Sequence, residues 1–270
     1  MIAHVINITE INETKKKSYL HIAQPVTMQT MLDAKNKAVG KVNVELLSIK
    51  HQSENINPSE GFIELTPISH YAFEFIPSLK DVPPKPLPRL IDILDAAYKQ
   101  SKAEFLIYTN LDIGLFPNFY IRIKELIDKG HDAITINRID IPKVVDEENI
   151  SYFNPDDIFR QKGKHHIGID CVVFKRCIIP KLVLNNVFIG FPPIGQVLKS
   201  QVEEHSINPI WIKTERLTFH LGSDMSWQQN VKHPYEIANE NEALNIYKPQ
   251  FKKQKDSMLI RIYKKIINKF

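Results

Sequence analysis

The sequence predicts an α/β domain with a mostly parallel central sheet flanked by helices. Short β-rich runs alternate with helical periodicities along the chain, and a β-α-β-α-β order is clear between residues 42 and 138. Polar residues gather where the apolar strands stop, as they do at the ligand-facing edge of open α/β sheets. A chain of 270 residues with 43% hydrophobic content and only 9 glycines can bury an ordinary core and is neither fibrous nor disordered. One domain is expected over residues 1–251, with a distinct tail over 252–270.

The elements follow in order. "HVINI" (4–8) is the first strand. The residues around it lack the basic lead and small-residue cleavage site of a signal peptide, so a cytosolic chain is expected. "SYLHIAQPVTMQTMLDAKNKA" (18–38) is helical and "VNVELLSI" (42–49) is the second strand. "IPSLKDVPPKPLPRL" (76–90) holds five of the 17 prolines, which predicts an extended loop over the sheet edge. "PRLIDILDAAYKQS" (88–101) places Leu90, Ile91, Leu94, Ala97 and Tyr98 on one helix face, and it leads into the strand "EFLIYTN". Helix "PNFYIRIKELIDKG" (117–130), with Pro117 near its start and Gly130 at its end, then precedes strand "DAITINR" (132–138). No internal repeat or low-complexity segment is visible.

The net charge of +4 is concentrated at one end. Residues 252–270 carry seven Lys or Arg and one acid, so the other 251 residues sum to −2. That distribution excludes an extended nucleic-acid-binding surface. In the tail, Met258, Leu259, Ile262, Tyr263, Ile266, Ile267 and Phe270 recur at three- and four-residue steps opposite Arg261, Lys264, Lys265 and Lys269. This is the pattern of a basic amphipathic C-terminal helix, too short and too charged to span a bilayer. It either docks on the domain or lies on an anionic membrane surface. Cys171 and Cys177 are too few for a disulfide framework and lack a CxxC spacing, so both are expected in the core.

Three constellations carry candidate chemistry. In "FLIYTNLDIGL" (105–115), Asn110 and Asp112 stand where an apolar strand stops, and a carboxylate there needs a cation, a donor or water. Asp112 could equally cap the following turn. In "KHHIGIDCVVF" (164–174), His165, His166 and Asp170 are expected on the loop entering the strand that begins at Cys171. In "RLTFHLGSDMSW" (216–227), His220 ends the alternating run "IWIKTERLTF" beside Gly222, with Asp224 and Trp227 following. A histidine with only a structural role is the competing expectation there.

The segment "YTNLDIGL" resembles the DxD-type motif of GT-A glycosyltransferases, in the variant form Asn110-Leu111-Asp112. The longer series "LPRLIDILDAAY", "YTNLDIGLFPNFY", "DAITINR", "HHIGIDCVVF" and "TFHLG" also resembles bacterial proteins of surface-polysaccharide sugar transfer, over most of residues 76–222. The resemblance implies a GT-A-like (Rossmann-like) fold and a nucleotide-sugar donor whose diphosphate is bridged by a divalent cation, Mn²⁺ or Mg²⁺. It implies Asp112 and His220 as metal ligands and Asp170 as the catalytic carboxylate that faces the acceptor and either takes its proton or contacts the donor sugar. It further implies Asn7, Thr9 and Glu10 after the first strand at the nucleobase and ribose, with Arg89, Asp92 and Asn110 near the donor diphosphate and sugar. Arg89 and Asp92, three residues apart on a helix, would equally form an ordinary ion pair. Asn110 departs from the motif, since it offers a metal only a carbonyl oxygen.

The expected function is sugar transfer from a nucleotide-diphosphate sugar to a glycan or lipid-linked acceptor in bacterial surface-polysaccharide synthesis. The site of action would be peripheral, on the cytoplasmic face of the cell membrane. A sugar-phosphate nucleotidyltransferase would need a glycine-rich, basic phosphate loop near its start, and none is present. A catalytically inactive scaffold of polysaccharide assembly is the reading of another class, made thinkable by Asn110.

Overall fold

The computed structural model describes residues 1–11, 19–142, 154–222 and 232–253, the last six of these as backbone. Nine strands are found among them: β1 (Ile2–Asn7), β2 (Val44–Ile49), β3 (Phe62–Glu64), β4 (Phe105–Thr109), β5 (Ile113–Leu115), β6 (Ala133–Ile141), β7 (Lys164–Lys175), β8 (Pro209–Ile212) and β9 (Thr218–Leu221). They form one sheet in the order β3-β2-β1-β4-β7-β6-β9-β5, with β8 also paired to β6. The pairings β2–β3, β1–β2, β1–β4, β6–β8 and β6–β9 are parallel. Only β4–β7, β6–β7 and β5–β9 are antiparallel, so the sheet is mostly parallel as expected.

Helices α1 (Leu20–Lys37), α2 (Leu90–Gln100), α3 (Phe119–Asp128), α4 (Pro155–Phe159), α5 (Ile194–Glu204) and α6 (Pro234–Lys253) accompany the sheet. Every residue of β1 is buried, because helices cover both faces of the sheet. Its alternating side chains go to two different cores. Ala3 and Val5 join Leu90, Ile93, Leu94 and Ala97 of α2 and Val197, Leu198 and Val202 of α5. Ile2 and Ile6 join Met28, Met31 and Ala34 of α1 and Phe119, Tyr120 and Ile123 of α3. The three- and four-residue spacing in α2 thus becomes a buried stripe, each large side chain contributing about 1.5–3 kcal/mol. α6 continues to Lys253, through the expected boundary at residue 251.

Several expectations are corrected. The proline-rich segment has no helix or strand over residues 83–88, as expected of a loop, but it opens with a single 3-10 turn at Pro77–Leu79, just after another at Ala72–Glu74. Ala72, Ile76 and Leu79 pack there with Phe188 and with Tyr235 and Ala238 of α6, since these apolar side chains need cover that an exposed loop lacks. His165, His166 and Asp170 lie within β7 rather than on a loop before it. The run "IWIKTERLTF" is two short strands, β8 and β9, with His220 inside β9. Cys171 is buried, but Cys177 is exposed on the turn after β7. Among the described residues no helix is long and apolar enough to cross a membrane. The expected amphipathic helix of the tail, together with Asp224 and Trp227, lies outside the described residues apart from the backbone of 252 and 253.

Candidate active site

Sheet topology brings the three constellations to one place. β4 ends at Thr109, and the chain turns through Asn110 and Asp112 into β5. β7 runs antiparallel to β4, so its polar first half meets the carboxyl end of β4. Thr109 pairs with Cys171, and the Asn110 backbone N–H donates to the Asp170 carbonyl at 3.3 Å. In β9, His220 pairs on one side with Ile113, the residue after Asp112, and on the other with Asp140 of β6.

A chain of side-chain hydrogen bonds follows from that register. The Tyr108 hydroxyl donates to Asn110 Oδ1 at 3.1 Å, and Asn110 Nδ2 donates to Asp170 Oδ1 at 2.9 Å. Arg138 Nη1 donates to Asp170 Oδ2 at 2.6 Å, and Arg138 Nε donates to Asp140 Oδ1 at 2.8 Å. Asp170 is therefore held on both oxygens. Beside it, His220 Nε2 lies 3.3 Å from Asp112 Oδ2. His220 Nδ1–H donates to the Gly222 carbonyl at 3.0 Å, which is turned back by a φ of +82° that a side chain at 222 would resist.

The charges fit this geometry. Burial pushes the Asp112 carboxyl up, but His220 and Arg138 outweigh it and hold the group below its ordinary range. Burial pushes the His220 imidazole down, and the hydrogen bond and charge of Asp112 reverse that, leaving it raised. Arg138 keeps its charge despite burial because Asp170 and Asp140 face it. The Tyr108 hydroxyl is pushed up by burial and by the Asp112 and Asp170 charges, so it stays protonated. The nearby His166 is lowered by burial and by Arg138.

Two of the sequence-predicted groups sit elsewhere along the same sheet edge. Asn7 is buried, and its Nδ2 donates to the Ile49 carbonyl at 2.9 Å, tying β1 to β2. Gln24 of α1 holds the Thr9 backbone, accepting from its N–H at 2.9 Å and donating to its carbonyl at 3.1 Å. The Thr9 hydroxyl donates to Glu54, and Glu10 accepts from the Asn55 N–H at 3.1 Å. Arg89, just before α2, forms an ion pair with Asp92 through Nε and Nη2, both at 2.8 Å. Its Nη1 donates to Asn186 Oδ1 at 3.2 Å, and its guanidinium lies 3.7 Å above the Phe75 ring.

Tyr108, Arg138 and Asp140 escaped the sequence reading. Arg138 and Asp140 share one strand face by the two-residue period, which was the signal available. Gln24 and Glu54 carried no such signal, because their approach to Thr9 depends on tertiary packing.

Divalent-cation binding can be tested on this donor set. With His220 neutral, Asp112, Asp140 and Asp170 against Arg138 leave a net charge of −2, which one divalent cation balances. An imidazole whose Nδ1–H is held by a backbone carbonyl presents Nε2 as a ligand, the arrangement common at metal sites. Asp112 and His220 therefore fit a two-ligand site. Among the described residues no group of three or more His, Cys, Asp or Glu side chains could hold a metal, so the remaining ligands would be substrate oxygens and water. The Asn110 carbonyl oxygen accepts from Tyr108 and its NH₂ donates to Asp170, so the amide is oriented by the fold.

No family model matches the sequence, and no curated protein matches it. Solved structures do. The crystal structure of Staphylococcus aureus TarS is 9% identical over 91% of this chain and 43% of that one, with a TM-score of 0.50. TarS 1–349 in complex with UDP-GlcNAc is 10% identical over 93% of this chain and 72% of that one, with a TM-score of 0.46. A putative glucose-1-phosphate thymidylyltransferase from Bacillus anthracis, in complex with a sucrose, is 7% identical over 90% and 96%, also at 0.46. The chain spans less than half the length of the TarS structure named first. At such identities the likeness concerns the fold alone: with its mostly parallel central sheet flanked by helices, this chain has a GT-A-like, Rossmann-like fold.

Proposed function

We propose that this chain is a glycosyltransferase moving a sugar from a nucleotide-diphosphate sugar to a glycan or lipid-linked acceptor in bacterial surface-polysaccharide synthesis. One observation carries the reading. Asp112, His220 and Asp170, distant in sequence, converge at the carboxyl edge of a GT-A-type sheet with their charges arranged around Arg138. Asp112 and His220 would hold Mn²⁺ or Mg²⁺, imidazole with carboxylate favouring Mn²⁺. The cation supplies Lewis-acid stabilisation of the charge that develops on the departing nucleoside diphosphate.

The remaining roles belong to the chain's own side chains. Asp170, fixed by Asn110 and Arg138, accepts the proton of the acceptor hydroxyl as it attacks the anomeric carbon. Thr9 and Glu10, with Glu54 beside them, line the nucleoside end, and Asn7 holds the β1 and β2 ends that carry them. Arg89 and Asp92 orient the loops around Asn186 and Phe75 on the donor side of the edge. The basic tail brings the domain to the cytoplasmic face of the membrane, where a lipid-linked acceptor resides.

The test is a panel of nucleotide sugars incubated with protein and Mn²⁺, with product analysis by chromatography. Release of nucleoside diphosphate supports transfer. Release of pyrophosphate from nucleoside triphosphate and sugar phosphate would point to nucleotidyl transfer instead, and no turnover of any donor contradicts the proposal.

A further inference from the structure

We propose that Asn110 is a positioning residue for Asp170, and that it stands in place of an acid because it must donate a hydrogen bond to that carboxylate. Its catalytic consequence rests on the transferase reading. Three bonds converge on the residue: its backbone N–H to the Asp170 carbonyl, its Nδ2 to Asp170 Oδ1, and the Tyr108 hydroxyl to its Oδ1.

The chemistry of the partners sets the amide orientation. Asp170, ionised against Arg138, can only accept, so the group facing it has to be the NH₂. With the NH₂ turned to Asp170, the carbonyl oxygen of Asn110 is left facing Tyr108, whose hydroxyl, kept protonated by burial and by the surrounding carboxylates, donates to it. The carbonyl oxygen and one N–H of the amide are thereby engaged within the fold, which fixes the orientation of the group. An aspartate at 110 would set two carboxylates about 3 Å apart in a pocket where Asp170 is only 12% exposed, with one Arg138 to serve both. An amide at 110 removes that repulsion and fixes the lone pairs of Asp170.

A swap of the two groups tests this, with a readout that does not depend on activity. Asn110→Asp is expected to lower Tm by about 5–10 °C, from a partly buried like-charge contact. The double variant Asn110→Asp with Asp170→Asn places carboxylate and amide in exchanged positions. The carboxylate then accepts from Tyr108 and from the NH₂ of the relocated amide, whose carbonyl oxygen accepts from Arg138, so most of the Tm loss should return. An Asn110→Asp protein that unfolds but is restored by Asp170→Asn supports the inference equally. A double variant no more stable than the worse single variant overturns it. In parallel, Asn110→Ala should bind Mn²⁺ within about twofold of wild type, whereas a loss of about tenfold would make Asn110 a ligand and overturn the inference. On a donor the wild-type protein turns over, Asn110→Ala should lower kcat with donor KM unchanged, and a raised KM at unchanged kcat would overturn the positioning role. Failure of wild type to turn over any donor contradicts the transferase reading alone, because the Tm swap still decides the Asn110–Asp170 relation.

Discussion

His220 Nε2 lies 3.3 Å from Asp112 Oδ2 while its Nδ1–H is bonded to the Gly222 carbonyl. With Nδ1 committed as a donor, Nε2 can face the carboxylate favourably only by carrying a proton or by sharing a cation with it. The raised His220 and the lowered Asp112 are the two sides of that pairing.

A pH dependence of cation binding follows. Mn²⁺ has to displace the Nε2 proton, and that proton is held to higher pH than in a free imidazole. Apparent affinity should therefore fall by about tenfold per pH unit below the raised His220 value, and level off above it. Competition titrations between pH 6 and 8 measure this. An affinity independent of pH over that range would remove His220 from the ligand set.

A second pH effect concerns stability and comes from β1. His4 is fully buried, with Nδ1 2.8 Å from the Tyr120 hydroxyl and Nε2 2.9 Å from the Thr109 hydroxyl. Burial pushes its imidazole down from 6.5 to about 3. Because the folded value lies below the unfolded one, the contribution is fully present above pH 6.5 and is lost as pH falls from 6.5 towards 3. The slope should be up to about 1.4 kcal/mol per pH unit. Urea unfolding at a series of pH values should show a shallower slope for His4→Gln than for wild type; identical slopes would show that His4 is not the group that titrates.

Gly195 is a packing requirement for the same site. A Cβ there would overlap the Ile169 carbonyl oxygen, and backbone cannot move aside as a side chain can. Gly195→Ala should cost about 3 kcal/mol and displace the strand that carries Asp170, lowering both Tm and donor turnover. Wild-type Tm in this variant would contradict the close approach of α5 to β7.

For the basic tail, removal of residues 254–270 should abolish co-sedimentation with anionic liposomes and leave Tm unchanged. Binding of the whole chain should weaken as salt is raised, since screening acts beyond about 10 Å at 0.1 M ionic strength. Lost stability with unchanged liposome binding would mean that the tail packs on the domain instead.

Much of the architecture was legible where periodicity is strong. β1, β2, β4, α1, α2 and α3 fall where apolar runs or three- and four-residue spacings put them. β3 and β5 are three residues each, too short for any local pattern, and exist because β2 and β9 offer them partners. The first half of β7 was hidden because His165, His166 and Gly168 interrupt any apolar alternation; its strand conformation comes from pairing with β6. At the site, Asp112, Asp170 and His220 were visible as polar residues at the limits of apolar runs. Arg138 and Asp140 were not, because their meaning depends on β6 lying next to β7 and β9, a neighbour relation that local sequence does not contain.

In the proposed reaction the Asp112 and His220 edge binds a nucleoside diphosphate together with a divalent cation. Calorimetric titration of a panel of nucleoside diphosphates into wild type and Asp112→Asn, with Mn²⁺ and then with chelator, tests it most directly. At least one nucleotide should bind wild type, with affinity dropping by at least about tenfold, or 1.4 kcal/mol, both on chelation and in Asp112→Asn. Binding of no nucleotide by wild type, or equal binding by Asp112→Asn, would contradict it.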